Sequence, residues 1–251
     1  MRAWVRAIVP LPLRLWVRTQ QRRWRLQRPR VGSVDFGALR RVRPLSRLVG
    51  FERGLPLDRY YIEGFLMGHA ADVRGHVLEF GDDTYTRRFG GTRVTARDVL
   101  HATAGNLQAT VVADLGAAVP LPPNRFDCII CTQTLQMIYD VRRALGHLHT
   151  MLKPGGVLLL TAHGISRITR HEGVDPWGEY WHFTTQSLRR LLGETMPGAA
   201  VEVTACGNVL AAIALLHGLA AEELTADELQ YHHPDYEVVI MARVVKATTA
   251  C

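Results

Sequence analysis

Lysine is almost missing from this chain. Lys153 and Lys246 are the only two, and every other base is arginine. That bias reads as GC-rich coding and marks no site. Cysteine is scarce as well, with Cys128, Cys131, Cys206 and Cys251 making up the whole set. Cys128 and Cys131 have C-x-x-C spacing but lie inside the apolar run FDCIICTQ. A strand there turns them to opposite faces, whereas a redox pair wants a helix N-terminus. No second pair stands at zinc spacing, so no metal is expected. Buried thiols fit a reducing, cytoplasmic setting. No apolar run reaches the roughly 18–20 residues that cross a bilayer. The opening MRAWVRAIVPLPLRLWVR is interrupted by Pro10, Pro12 and Arg14, with no small-residue cleavage site after it, so a secretory signal is not expected. Acids are missing from the first 50 residues: Asp35 stands alone against 13 arginines. The net charge of +7 therefore belongs to this segment, and the remainder is net acidic.

What is present is enough for one α/β domain: 251 residues, 47% hydrophobic. Residues 1–50 read as a basic N-terminal arm and residues 51–251 as the catalytic body. In the arm, Trp4, Trp16 and Trp24 are interleaved with arginines, and prolines break any long helix. Residues 1–30 suit peripheral contact with an anionic membrane surface; a docked or solvated segment is the alternative. In the body, 56–73 reads as a helix. Short apolar runs at 76–81, 93–100, 109–115, 126–133 and 157–162 read as strands. A helix over 140–152 stops at Lys153-Pro154-Gly155-Gly156, a turn signal. Helices at 185–193 and 208–223 and strands at 201–206 and 236–245 follow. The expectation is a doubly wound, seven-stranded, mostly parallel sheet of Rossmann-like α/β class, with an antiparallel final strand.

Such a sheet holds an adenosine ligand across the C-terminal strand ends. The first strand ends Glu79-Phe80-Gly81, where glycine lets a ligand approach the backbone. The second leads to Asp98, read as a strand-end carboxylate able to accept two ribose hydroxyls. The third ends Asp114-Leu115, an acid for an adenine edge with apolar packing beside it. The fourth ends Thr132-Gln133, next to where an amino-acid tail would lie.

VLEFG, DVL, VVADL, FDCIICTQTLQMI and LKPGGVLLLT, in that order, resemble the motif set of class I S-adenosylmethionine-dependent methyltransferases. The chain is similar in particular to bacterial methyltransferase-domain proteins with a VLE-φ-GDDTYT stretch, associated with polysaccharide or glycosylated-metabolite biosynthesis. The likeness includes RGLPLDRYYIEGFL and WGEYWHFT and covers roughly residues 44–246. It implies S-adenosyl-L-methionine as cofactor, with Glu79 and Gly81 at its amino-acid end, Asp98 on its ribose, and Asp114 with Leu115 on its adenine. Asp83, Thr84, Val99 and Tyr61 complete the expected cofactor contacts. One departure is notable. Asp83 and Tyr85 stand where the family's later glycines fall; Asp83 offers an extra carboxylate to the sulfonium and ammonium, while the bulkier loop narrows the pocket.

A hydroxyl acceptor calls for a general base near neutral pKa. His163, directly after the fifth strand, and His182 are the catalytic candidates. The aromatic segment between them offers Trp177, Tyr180 and Trp181 for stacking on a sugar or flat aglycone. The expected function is methyl transfer to a small-molecule or glycan acceptor, with a hydroxyl favoured. The alternatives are a methyltransferase-fold protein that binds cofactor or metabolite without transfer, as a cyclase or binding protein, and a nucleic-acid methyltransferase. The acidic body and the lack of base-methylation motifs count against nucleic acid as partner.

Overall fold

Short apolar runs bounded by glycine or polar turns build the centre of the molecule. The computed structural model describes residues 32–168 and 178–248, and Pro10, Pro12, Leu13, Trp16 and Pro29 besides. Seven strands form one sheet: β1 (Gly75–Phe80), β2 (Val94–His101), β3 (Val111–Val112), β4 (Phe126–Thr132), β5 (Leu152–His163), β6 (Ala200–Cys206) and β7 (Val239–Val245). Their order is β3-β2-β1-β4-β5-β7-β6. The first five strands pair in parallel, and β7 is antiparallel to both β5 and β6. This is the expected doubly wound, Rossmann-like methyltransferase fold, with the order reversing between β1 and β4.

Among the described residues from 44 onward, the sheet is accompanied by the α-helices α1 (Leu57–Gly68), α2 (Val141–Met151), α3 (Thr185–Thr195), α4 (Val209–His217) and α5 (Ala226–Gln230). Leu145, Leu148 and Leu188 of α2 and α3 pack on one face of the sheet with Leu78, Ile129 and Leu158. Ile62, Leu66 and Leu215 of α1 and α4 pack on the other with Val77, Ile130 and Leu159. Each such side chain contributes about 1.5–3 kcal/mol by burial. Cys131 joins the first cluster and Cys128 the second, so the two thiols face opposite ways as their spacing in a strand requires. Both are free, and burial pushes the Cys131 thiol up to about 12.

Three boundaries differ from the sequence reading. β3 shrinks to two residues at the sheet edge; just before it the Val99 N–H goes to the Thr110 hydroxyl instead of a backbone carbonyl. The Lys153-Pro154-Gly155-Gly156 turn is absorbed into β5 as a bulge: Phe126 faces Leu152 while Cys128 faces Val157. The helix expected over 208–223 ends at Gly218, whose φ of +69° closes α4 in the left-handed conformation.

The chain divides into two compact units, residues 1–43 and 44–251. Within the first, Asp35 Oδ1 accepts the Gly37 N–H and opens a 3-10 turn over Gly37–Leu39. The second starts ahead of the expected boundary at residue 50. Leu45 and Ser46 both donate their N–H to His217 O, and Ser46 Oγ accepts from Leu48 and Gly50. Among the described residues no helix is long and apolar enough to cross a membrane.

Candidate functional site

The C-terminal ends of β1, β2, β4 and β5 converge at one edge, and the residues there are set by register. Glu79, in β1, is buried, and its two carboxylate oxygens accept the N–H groups of Tyr85 (3.0 Å) and Thr86 (2.7 Å). It thereby clamps the loop that follows the strand. Burial pushes its pKa up to about 7 against these hydrogen bonds. Gly81 ends that turn with φ +83°, and a Cβ placed on it would meet nothing within 4 Å. Its carbonyl accepts from Asn106 Nδ2 (2.6 Å), which ties the β1 turn to the loop after β2. The space above Gly81 is therefore open to a ligand.

The two residues that depart from the family pattern do not fill that space. Asp83 does not point a carboxylate at a ligand, because Arg87 Nε and Arg97 Nε each hold its Oδ2 at 2.8 Å. Tyr85 is buried against Phe89, and its hydroxyl accepts from Arg59 Nη1 (2.6 Å). Thr84, on the exposed side of the loop, donates its N–H to Asp82 Oδ1.

Asp98 is the main correction. It does not end β2 but lies inside it, opposite Leu78, and the strand runs on to His101. The residue is 8% exposed and its carboxylate is already engaged. Thr110 Oγ1 donates to Oδ1 (2.7 Å), while Arg125 Nη2 (2.7 Å) and His76 Nε2 (2.9 Å) hold Oδ2. Burial raises its pKa, but the hydrogen bonds from Thr110 and His76 and the charge of Arg125 outweigh that and hold it below the ordinary carboxylate value. The strand-end position belongs to His101, whose Nδ1 sits 2.8 Å from Thr103 O. Val99 is buried in the sheet, with its N–H on Thr110 Oγ1.

Tyr61 is a second correction. Its ring is buried under the sheet, its hydroxyl donates to Leu229 O (3.0 Å), and burial carries its pKa up to about 12, so its polar atom is engaged within the protein. Leu115 likewise packs its side chain into the core. Asp114, beside it, is exposed just beyond β3, with Oδ1 accepting from Gly116 N–H (2.8 Å).

At the end of β4, Thr132 pairs with Thr161 of β5, and Gln133 adopts φ +47°, a conformation that costs a non-glycine residue free energy. Gln133 Nε2, Gln136 Oε1 and Thr161 Oγ1 are buried with no partner among the described residues. Buried polar atoms are nearly always satisfied, so Gln133 Nε2, at the end of β4, is left able to meet a polar group of a ligand. This atom, the open space over Gly81 and exposed Asp114 fit S-adenosylmethionine; Asp98 does not.

β5 ends at His163, which is buried. Its Nδ1 lies 2.9 Å from Glu179 Oε1, and the same oxygen is 3.2 Å from His182 Nε2. The Glu179 side chain is only 2% exposed. The two histidines differ. His182 Nδ1 faces Gly164 O (2.8 Å), so both of its nitrogens face acceptors and the ring is an anchor. His163 is engaged through Nδ1 only, and its Nε2 makes no hydrogen bond among the described residues. Tyr180 and Trp181 donate their N–H groups to Gln136 O, which straps this segment to the loop after β4. Their rings meet Tyr139, at 5.4 and 6.0 Å between centroids, in an exposed aromatic shelf. Trp177 lies outside the described residues.

Sequence reasoning missed Glu179, Tyr139, Gln136 and His101. The signal for Glu179 is an acid three residues before His182 inside WGEYWHFT. Among the described residues no group of three or more His, Cys, Asp or Glu side chains is placed to hold a metal.

Residues 83–160 match the methyltransferase domain family. The match runs from the loop after β1 into β5 and supports S-adenosylmethionine as the ligand of this edge. No curated protein matches the chain. Among solved structures, the [4+2]-cyclase SpnF aligns with a TM-score of 0.51 at 15% identity, over 78% of this chain and 84% of its own. An S-adenosylmethionine-dependent methyltransferase from Mesorhizobium loti aligns at 0.48 and 17%, over 76% and 98%. Haemonchus contortus phosphoethanolamine N-methyltransferase 2, in complex with S-adenosyl-L-methionine, aligns at 0.47 and 14%, over 76% and 57%. At these identities the SpnF likeness is one of fold alone.

Proposed function

We propose that this chain is an S-adenosylmethionine-dependent methyltransferase that methylates a hydroxyl of a small-molecule or glycan acceptor. S-adenosylmethionine supplies a methyl group already activated by its sulfonium, so the protein's task is alignment, exclusion of water and removal of one proton. Gly81, Asp114, Thr132 and Gln133 are the residues that would hold it, with His101 in the place expected for Asp98.

The observation that carries the hydroxyl reading is the His163–Glu179–His182 cluster at the end of β5. A carboxylate on Nδ1 fixes the tautomer and leaves Nε2 as the basic atom. His163 is then the base for the acceptor hydroxyl, Glu179 its positioning residue, and His182 the anchor for Glu179. The exposed shelf of Tyr139, Tyr180 and Trp181 suits a sugar ring or a flat aglycone. The alternative of cofactor binding without transfer loses its support in the altered loop, since Asp83 and Tyr85 are both committed elsewhere.

The test is release of S-adenosylhomocysteine from S-adenosylmethionine across a panel of hydroxyl-bearing glycosides. His163→Gln is expected to lower turnover by about 10²–10⁴-fold, the usual worth of a general base. Its affinity for S-adenosylhomocysteine should stay at the wild-type value. Undiminished turnover in His163→Gln overturns the assignment of the base.

A further inference from the structure

A surface helix turns its large aliphatic residues inward and its polar residues outward. The helix α4 does the reverse. Its sequence, VLAAIALLH, contains no Asp, Glu, Lys or Arg. The face against the sheet is made mainly of small residues, with Ala211, Ala212 and Ala214 buried beside Leu215. The face toward solvent carries Val209, Leu210, Ile213 and Leu216, which are 38% to 49% exposed. Positions 209, 213 and 216, with 210 alongside, form one stripe along the helix.

Further apolar residues are exposed on the segment bonded to the helix's C-terminal end. The segment that bonds His217 O through Leu45 and Ser46 also carries Leu48 and Phe51, both more than 60% exposed. Scattered exposed leucines are ordinary, but a contiguous run of large aliphatic and aromatic side chains marks a surface that meets something apolar. Three acids lie close in sequence to this segment or to the end of the helix: Glu52, exposed beside Phe51 and hydrogen-bonded to Ser46, Glu222, which accepts the Leu55 N–H, and Glu223, which pairs with Arg53. Immediately before Leu45 the chain leads into residues 1–43, which hold 12 arginines against the single acid Asp35.

We propose that the outer face of α4, with Leu48 and Phe51, docks on an anionic lipid surface. Aliphatic side chains entering the headgroup boundary and arginines drawn to negative lipid are the two contributions that stable peripheral binding combines. Here the arginine-rich segment leads along the chain directly to Leu48 and Phe51. The charge selects the occupant: a partner met by apolar contact alone would have no use for so one-sided a segment joined to Leu48 and Phe51 in the sequence.

Sedimentation of the full chain with vesicles tests this. Vesicles of phosphatidylcholine with roughly one-third phosphatidylglycerol are expected to carry the protein down, and pure phosphatidylcholine is not, because the attraction is electrostatic. Added salt should weaken the binding. The double variant Ile213→Glu, Leu216→Glu should bind at least about tenfold more weakly at an unchanged melting temperature. If the glutamates unsettle the fold, Ile213→Ser, Leu216→Ser makes the same test. Three results overturn the proposal. The wild type fails to bind anionic vesicles; or the variants bind as well as wild type, so that the arm alone suffices; or the wild type is a dimer that the variants convert to monomer, so that a second copy covers the stripe.

Discussion

Replacing Asp98 by alanine separates two roles that the sequence makes equally plausible. The structure makes Asp98 an internal tie between β2, Thr110, His76 and Arg125. Hydrogen bonds to a charged group contribute about 1.5–3 kcal/mol each when buried. Two of the three partners discount that figure. The Arg125 side chain is 43% exposed and the His76 side chain 23%, so solvent screens them and can satisfy them when the carboxylate is gone. A net loss of about 2–4 kcal/mol follows. In a domain of this size that lowers the melting temperature by about 5–15 °C. Because its folded pKa is depressed, Asp98 contributes stability above the unfolded carboxylate value near 4, and that contribution is lost as pH falls through the folded value. The gap between wild type and Asp98→Ala should therefore close in acid. Thermal melts from pH 3 to pH 7, with calorimetric titration of S-adenosylhomocysteine below the transition, read both quantities. The expected outcome is a large fall in stability with affinity within about twofold of wild type. A melting temperature that does not move, together with affinity lost by tenfold or more, refutes the reasoning and returns Asp98 to the ribose.

Three further outcomes follow from the same geometry. Tyr61→Phe loses one hydrogen bond to Leu229 O and should cost about 1 kcal/mol in a denaturant titration, with S-adenosylhomocysteine affinity unchanged. Glu79 has a raised folded pKa of about 7, so the folded state binds the extra proton and its contribution to stability falls as pH rises from about 4.5 to 7; Glu79→Gln should flatten that slope in melts across the window. Gly81→Ala puts a Cβ into open space at φ +83°, so it should lower stability by about 1–2 kcal/mol from backbone strain and weaken S-adenosylhomocysteine binding more than that loss alone accounts for, as calorimetry would show.

The architecture was legible because each central strand is an apolar run with a turn residue after it, and because the alternating helices leave a parallel sheet as the simplest packing. Strand ends were less legible. In RVTARDVLH the apolar pattern continues through Val99 and Leu100, and that continuation, not the acid, marks where β2 reaches the edge. Tyr61 illustrates a second limit. A tyrosine on an amphipathic helix reads alike whether it faces a ligand or the core, and only the carbonyl of Leu229, distant in sequence, decides the matter. The pairing of His163 with His182 depends on a third residue, Glu179, which needs the folded path after β5 to come between them. Their spacing of 19 positions carries no local period that could reveal it.

The role proposed for the edge formed by Gly81, Asp114 and Gln133 depends on its binding S-adenosylmethionine. Isothermal titration of the full chain with S-adenosylmethionine and with S-adenosylhomocysteine decides this. Saturable binding of both is expected, one ligand per chain, weakened in Gly81→Ala and retained in Asp98→Ala. Absence of heat and of any thermal stabilisation with either ligand at about millimolar concentration would contradict it.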